Sequence, residues 1–348
     1  MKNVPFPLLF MLISALLILG IIVAVIIGPA SISALEVLQA LLNGISGGLL
    51  QGLVSDIALW QQTIIDQVRL PRVLTAVLVG ASLAVCGAVL QGLFRNPLAS
   101  PSVLGVSSGA SLGAVVAIFL GLAASTLWVL PLFAFLGAAV TLLVVYQIAT
   151  YRGHTPMGTL LLAGVAVGAF NVAMSSLILA LSLQNWEVGR TIVYWTMGGL
   201  DGRGWHHVLL ILPIFIVAFT VMMSFERDLD ILLMGEIHAN AVGVDVPKVR
   251  LILLLVTALL TGCAVSVAGG IGFVGLVVPH MIRLLVGPHH RKLLPLSAMA
   301  GALILVIADL MVRSGTSDTS IPLGVITASM GAPFFLFLLF KQRKLMRG

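Results

Sequence analysis

The sequence predicts an all-α, polytopic membrane protein with about ten transmembrane helices and both termini on the cytoplasmic side. Three observations carry that prediction. Of 348 residues, 60% are hydrophobic and only 9% charged, and a water-soluble chain of this length could not hide so much apolar surface. Apolar runs of bilayer length recur along the whole chain, separated by polar breaks. Glycines recur inside them at helical spacing, as at Gly105, Gly109 and Gly113, which lets backbones approach closely where lipid supplies no hydrophobic drive. One transmembrane domain over residues 1–348 follows.

Phe6 to Ile27 is too long for a signal-peptide core and follows a single basic residue, Lys2, so residues 6–29 form a retained first span. Gly28 to Leu70 is a long loop whose stretch Ala34 to Leu42 is amphipathic and predicts a short surface helix. A second span, 71–92, ends at the Arg95-Asn96-Pro97 knuckle, and further spans follow at 101–121, 128–150 and 156–182. The last is rich in Ala and Gly, which suits either a cavity wall or tight packing. Gln184 to Gly199 reads as a short helix in which Tyr194 and Trp195 either meet a flat ligand or belong to an interfacial belt. The remaining spans lie at 205–224, 248–268, 273–287, 294–312 and 321–340.

Residues 226–246 stand apart. They hold five of the 12 acidic residues, yet their apolar positions keep helical spacing. Two short helices are predicted, punctuated by Gly235 and Gly243, with Leu229, Leu232 and Leu233 on one face and Ile237, Ala241 and Val244 on another. A solvated loop and a docking surface for a cytoplasmic protein both fit this pattern.

Thirteen of the 18 basic residues fall on one side of these spans; Arg69, Arg72, Arg190, Arg203 and Arg313 fall on the other. The positive-inside rule makes the richer side cytoplasmic. The net charge of +6 therefore reflects topology, and the basic residues, scattered and without interleaved aromatics, imply no nucleic-acid partner. Cys86 and Cys263 sit in apolar runs as small hydrophobes. His206-His207 and His289-His290 are adjacent pairs that do not share a helix face, so they are read as loop histidines and no metal site is predicted. Gly270 to Gly275 fits G-x-G-x-x-G but lies between spans as a helix break. Gly105-Val-Ser107-Ser-Gly109 fits the nucleophile-elbow pattern, which would need His280 as its base.

Several blocks look like those of the FecCD-type permeases: Arg69-Leu-Pro-Arg72, Gly87 to Ala99, Leu104 to Gly109, Leu161 to Ala166, Gly235-Glu-Ile-His-Ala239, Gly272 to His280 and Pro322 to Ala328. They run from the second span to the last, in order. The resemblance implies the membrane subunit of a type II ATP-binding cassette importer in a bacterial inner membrane. It would work with a second copy of itself, two ATPase subunits and a periplasmic substrate-binding protein, and carry an iron chelate, siderophore or haem, with cobalamin as the alternative.

The resemblance also assigns roles. Segment 226–246 becomes the coupling element, with Leu232, Leu233, Gly235, Glu236, Ala239 and Gly243 at the ATPase contact. Arg69, Arg72 and Arg313 match positions that receive binding-protein carboxylates, a task suited to the bidentate guanidinium. Snorkelling to headgroups, or an Arg313–Asp309 pair one turn apart, explains the same arginines. Asn96, Leu98, Thr155 and Met157 match the cytoplasmic gate. No G-x-x-x-x-G-K-[ST] loop occurs in the chain, so ATP and Mg fall to the partner ATPase and no cofactor is expected here. An ion-coupled secondary transporter is the rival class; it would need more buried ionisable groups than Asp309 alone.

Overall fold

The computed structural model describes residues 5–28, 30, 32–45, 58–151, 155–314 and 321–345. Fifteen α-helices follow in order: α1 (Phe6–Ile26), α2 (Ala34–Ile45), α3 (Leu59–Thr63), α4 (Leu70–Leu93), α5 (Val106–Phe119), α6 (Val129–Ala149), α7 (Met157–Ser182), α8 (Trp186–Met197), α9 (Trp205–Ser224), α10 (Glu226–Leu232), α11 (Glu236–Ala241), α12 (Val246–Ala268), α13 (Val274–Val286), α14 (His290–Ser314) and α15 (Leu323–Leu345). A helix stands at each of the ten apolar runs. Seven are long and apolar enough to cross a membrane; α5, α13 and Leu323–Leu336 of α15 are shorter apolar helices. The short helices foreseen in the first loop, after α7 and within 226–246 are α2, α8, α10 and α11.

The second span is longer than its sequence suggests. A six-residue π-helical turn, Ile64–Arg69, joins α3 to α4 so that Leu59–Leu93 is one continuous rod. Pro71 reads from sequence as a helix start, because it lacks the N–H that helix interiors need. Widening the turn before it, with the Leu70 N–H bonded to Ile65 O, carries the helix past the proline. The third span is shorter: Gly105 adopts φ 73 just before α5, so residues 101–105 are turns rather than helix.

The rod is the centre of the bundle. Of its most apolar window 89% is buried, beneath α9, α12, α13 and α14. Backbone contact makes this density achievable. A Cβ on Gly80 would overlap the carbonyl of Gly301 on α14, and one on Gly87 the carbonyl of Gly275 on α13. Gly109 and Gly113 press in the same way on Gly137 and Phe133 of α6, whereas Gly105 faces Gly164 and Gly168 of α7. The three-glycine stripe therefore serves two neighbours, not one. At the other extreme, only 17% of the apolar window of α7 is buried, and Leu162, Val165 and Phe170 stand exposed.

Three segments meet without side chains between them. The end of α8, the end of α12 and the start of α15 cross where Gly199 N donates to Ala268 O (2.9 Å) and Leu323 N donates to Gly198 O (3.0 Å). A Cβ on Gly198 or on Gly324 would come within 2.5 Å of Gly270 O.

Candidate functional site

The bundle presents chemistry at its two ends. At the end carrying α8, the three arginines singled out from sequence come together, but two of them turn inward. Arg69 is 3% exposed and donates to the carbonyls of Val25 (2.9 Å), Ile26 (2.7 Å) and Ala30 (2.5 Å). Nη1 of Arg313 donates to Ala24 O (2.9 Å) and Ile27 O (3.0 Å). Both guanidiniums thus cap the C-terminus of α1, where unpaired carbonyls and the helix dipole favour a cation. Burial hides them from a partner in this arrangement.

Arg72 differs. Its Nε and Nη2 grip the buried carboxylate of Asp309 (3.0 and 2.8 Å), while Nη1 reaches Asp201 at 2.6 Å. The Asp201 side chain is 70% exposed, so one limb of this network touches solvent. The expected Asp309–Arg313 pair is present at 2.9 Å; the shared grip of Arg72 on Asp309 was not foreseen. Beside Asp201, Arg203 is held below its ordinary pKa by burial, which the Asp201 charge opposes.

A cavity of about 790 Å³ opens here, lined among others by Glu187, Arg190, Tyr194, Trp195, Asp201 and Arg203. That volume suits a medium-sized ligand. Of the two aromatics singled out from sequence, Tyr194 is exposed beneath the Arg190 guanidinium, 5.4 Å from its ring centroid, and Trp195 is buried.

At the opposite end, Leu229, Leu232 and Ala239 are buried, and Glu236 is tied to Arg250 on α12 at 2.5 Å. Gly235 (φ 115) and Gly243 (φ 90) supply left-handed turns that other residues enter with strain. Leu232 and Ala239, expected at the ATPase contact, therefore hold the helix pair on the bundle. The exposed apolar ridge is Met234, Ile237 and Val242, with Ile237 90% exposed. Sequence placed Ile237 beside Val244, but Val244 is buried.

The Arg95-Asn96-Pro97-Leu98 knuckle closes α4. Arg95 takes φ 47, and Asn96 Oδ1 accepts from Leu98 N at 2.9 Å, an Asx turn. Thr155 is buried, its hydroxyl 3.0 Å from that of Thr150, so this part of the expected gate is anchored on the α6–α7 connection. The Met157 side chain lies outside the described residues.

Sequence reasoning missed His290. Read as a loop residue, it is the fully buried first residue of α14, and both its backbone N and Nδ1 bond Asp230 on α10. Burial alone would raise the Asp230 carboxyl, but the hydrogen bonds and charge of His290 hold it below the ordinary carboxylate range. Adjacency hid this partner, since the contact spans 60 residues.

Neither alternative chemistry is assembled among the described residues. The Ser107 hydroxyl meets that of Ser102 at 3.5 Å, and Ser108 bonds Gly105 O; among the described residues the recorded partners of Ser107 include no base. No three metal-ligating side chains converge among the described residues. Gly270 to Gly275 spans the break between α12 and α13, as expected.

A bundle with seven helices long and apolar enough to cross a membrane, an open cavity at one end and an exposed helix pair at the other is an architecture suited to a membrane transport protein. The chain belongs to the FecCD transport family, whose profile matches residues 16–341. It is 49% identical over 278 residues to the cobalamin import system permease protein BtuC of Halobacterium salinarum, covering 80% of this chain and 73% of that one. It is 43% identical to the Fe(3+) dicitrate transport system permease protein FecD of Escherichia coli, covering 80% and 86%. A metal-chelate type ABC transporter solved in an inward-facing conformation superimposes with a TM-score of 0.82 at 34% identity, over 96% of this chain and 99% of that one.

Proposed function

We propose that this permease carries a metal chelate inward across a bacterial inner membrane as a homodimer of ten-span subunits, both termini cytoplasmic. Two ATPase subunits seat on its inner face and a periplasmic binding protein on its outer face. The observation that carries this reading is the ridge Met234–Ile237–Val242: a side chain as apolar as Ile237 left 90% exposed on a polar helix pair calls for a protein partner. The uncovered face of α7 fits the second copy. Among cargoes the corrinoid stands first, supported by 49% identity to a cobalamin permease. A ferric chelate is the second reading, supported by 43% identity to a ferric dicitrate permease.

The test is uptake of labelled cyanocobalamin and of ferric dicitrate by proteoliposomes holding the complex purified with its native ATPase and binding protein. ATP-dependent uptake is expected, with cyanocobalamin preferred. Ile237→Asp should strip the ATPase from the complex and lower uptake at least about tenfold, because a central apolar anchor commonly contributes 2 kcal/mol or more. Uptake that ignores ATP and collapses with a proton uncoupler would return the chain to the secondary transporters.

On the outer face the docking role centres on Arg72, with Arg69 and Arg313 setting the surrounding positive potential. A carboxylate from the binding protein replaces Asp201 on Nη1 of Arg72. Asp201→Asn, which weakens the internal competitor without disturbing Asp309, should therefore tighten binding-protein association and increase its salt sensitivity, measured by surface plasmon resonance. Unchanged affinity and salt slope would remove Arg72 from the interface.

A further inference from the structure

At the α10–α11 end, three elements converge on one imidazole. Asp230 Oδ1 accepts from the backbone N of His290 at 2.9 Å and stands 2.6 Å from its Nδ1, while Oδ2 stands 3.2 Å from His289 Nδ1. An ionised carboxylate has no proton to give, so the ring nitrogens donate. The far edge of the His290 ring rests on Gly92 in the last turn of α4, so closely that a methyl added there would overlap Nε2. A fully buried ring held between a carboxylate and a glycine backbone is confined by its packing.

The Arg95–Leu98 knuckle begins three residues beyond Gly92, and it meets the same helix pair again. The Arg95 guanidinium lies over Gly235, where a Cβ would be 3.6 Å from Nη1. The other polar tie of the pair, Glu236 to Arg250, leads into α12 instead. Buried Leu229 and Leu232 also hold α10 in place, but apolar contacts can slide, whereas two hydrogen bonds to one charged carboxylate fix direction as well as distance.

We infer that Asp230, His290 and Gly92 form a rigid strut that transmits displacement of the α10–α11 pair to the knuckle at the end of α4. Asp230 and His290 are its positioning residues. The inference rests on the reading of α10–α11 as the ATPase contact and of the knuckle as a gate. It adds the path between them.

The test uses the complex with its co-purified ATPase in lipid nanodiscs, carrying Leu98→Cys, a position whose side chain is exposed. The rate of cysteine labelling by a fluorescent maleimide is compared without nucleotide and after trapping with ATP and vanadate. The parent complex is expected to change its rate several-fold between the two states. Asp230→Ala should bring that ratio close to unity in complexes that retain the ATPase. Asp230→Asn, whose amide oxygen still accepts from His290, should restore it. If Asp230→Ala fails to assemble, Asp230→Glu gives the same readout: it keeps the charge but lengthens the strut by a methylene, and a diminished ratio is expected. A parental ratio in Asp230→Ala or Asp230→Glu overturns the strut. A parent that binds no ATPase, or does not respond to nucleotide, overturns the importer reading itself.

Discussion

Asp309→Ala should destabilise the protein by up to about 3–5 kcal/mol, the range for breaking a buried ion pair by removing one partner. Asp309 is 1% exposed and stands between Arg72 at 2.8 Å and Arg313 at 2.9 Å. Removing it takes away the buried carboxylate the two arginines share, leaving Arg72 with Asp201 and Arg313 with the carbonyls of Ala24 and Ile27. Asp309→Asn keeps an acceptor oxygen but not the charge, and should lie between alanine and the parent. The measurement is the melting temperature of the purified protein in mild detergent, followed by tryptophan fluorescence. Replacing the whole cluster, Arg72 and Arg313 by Met and Asp309 by Leu, should recover much of the loss, since apolar substitutes of similar volume often match a buried ionic group. A melting temperature unaffected by Asp309→Ala would mean that Asp201 and the α1 carbonyls alone satisfy the two guanidiniums, and the electrostatic account of this end of the bundle would fail.

The second large effect is steric. Gly87→Ala places a methyl on the carbonyl of Gly275, and neither backbone can swing aside as a flexible side chain could. Overpacking of a tight core typically costs about 1–3 kcal/mol, and a clash of main chain with main chain belongs at or above the upper end. Separation of α4 from α13 is the expected result, seen as loss of monodisperse protein on size-exclusion chromatography. Gly158→Ala is the control: nothing lies within 4 Å of its added Cβ, and alanine favours the helix by about 1 kcal/mol. Equal behaviour of the two variants would show that the α4–α13 approach is looser than described.

Much of this architecture was legible in the chain because lipid allows so few solutions. Every apolar run had to become a helix, and the polar knuckles had to lie between them. The second span starts earlier than the sequence places it, because an apolar run marks where a helix is apolar and not where a polar extension such as residues 59–69 continues it. The inward turn of Arg69 and Arg313 was illegible for a different reason: the carbonyls they cap belong to α1, and local spacing says nothing about which helix end will lie beside which side chain. The Arg72–Asp309 grip spans 237 residues, and only the bundle brings its halves together. On α10 helical spacing grouped Leu229 and Leu232 correctly, but its second face, Ile237 with Val244, is split by the bundle, which covers Val244 and leaves Ile237 outside. Ile237 stayed outside while Leu232 and Ala239 went in.

The crossing of α8, α12 and α15 bears on how such a chain can vary by descent. Three stretches far apart in the polypeptide meet there through main chain alone, so none can acquire a side chain unless the other two retreat. Drift at Gly198, Gly270 or Gly324 is therefore blocked one residue at a time, and the three positions should pass from ancestor to descendant as a single inherited unit.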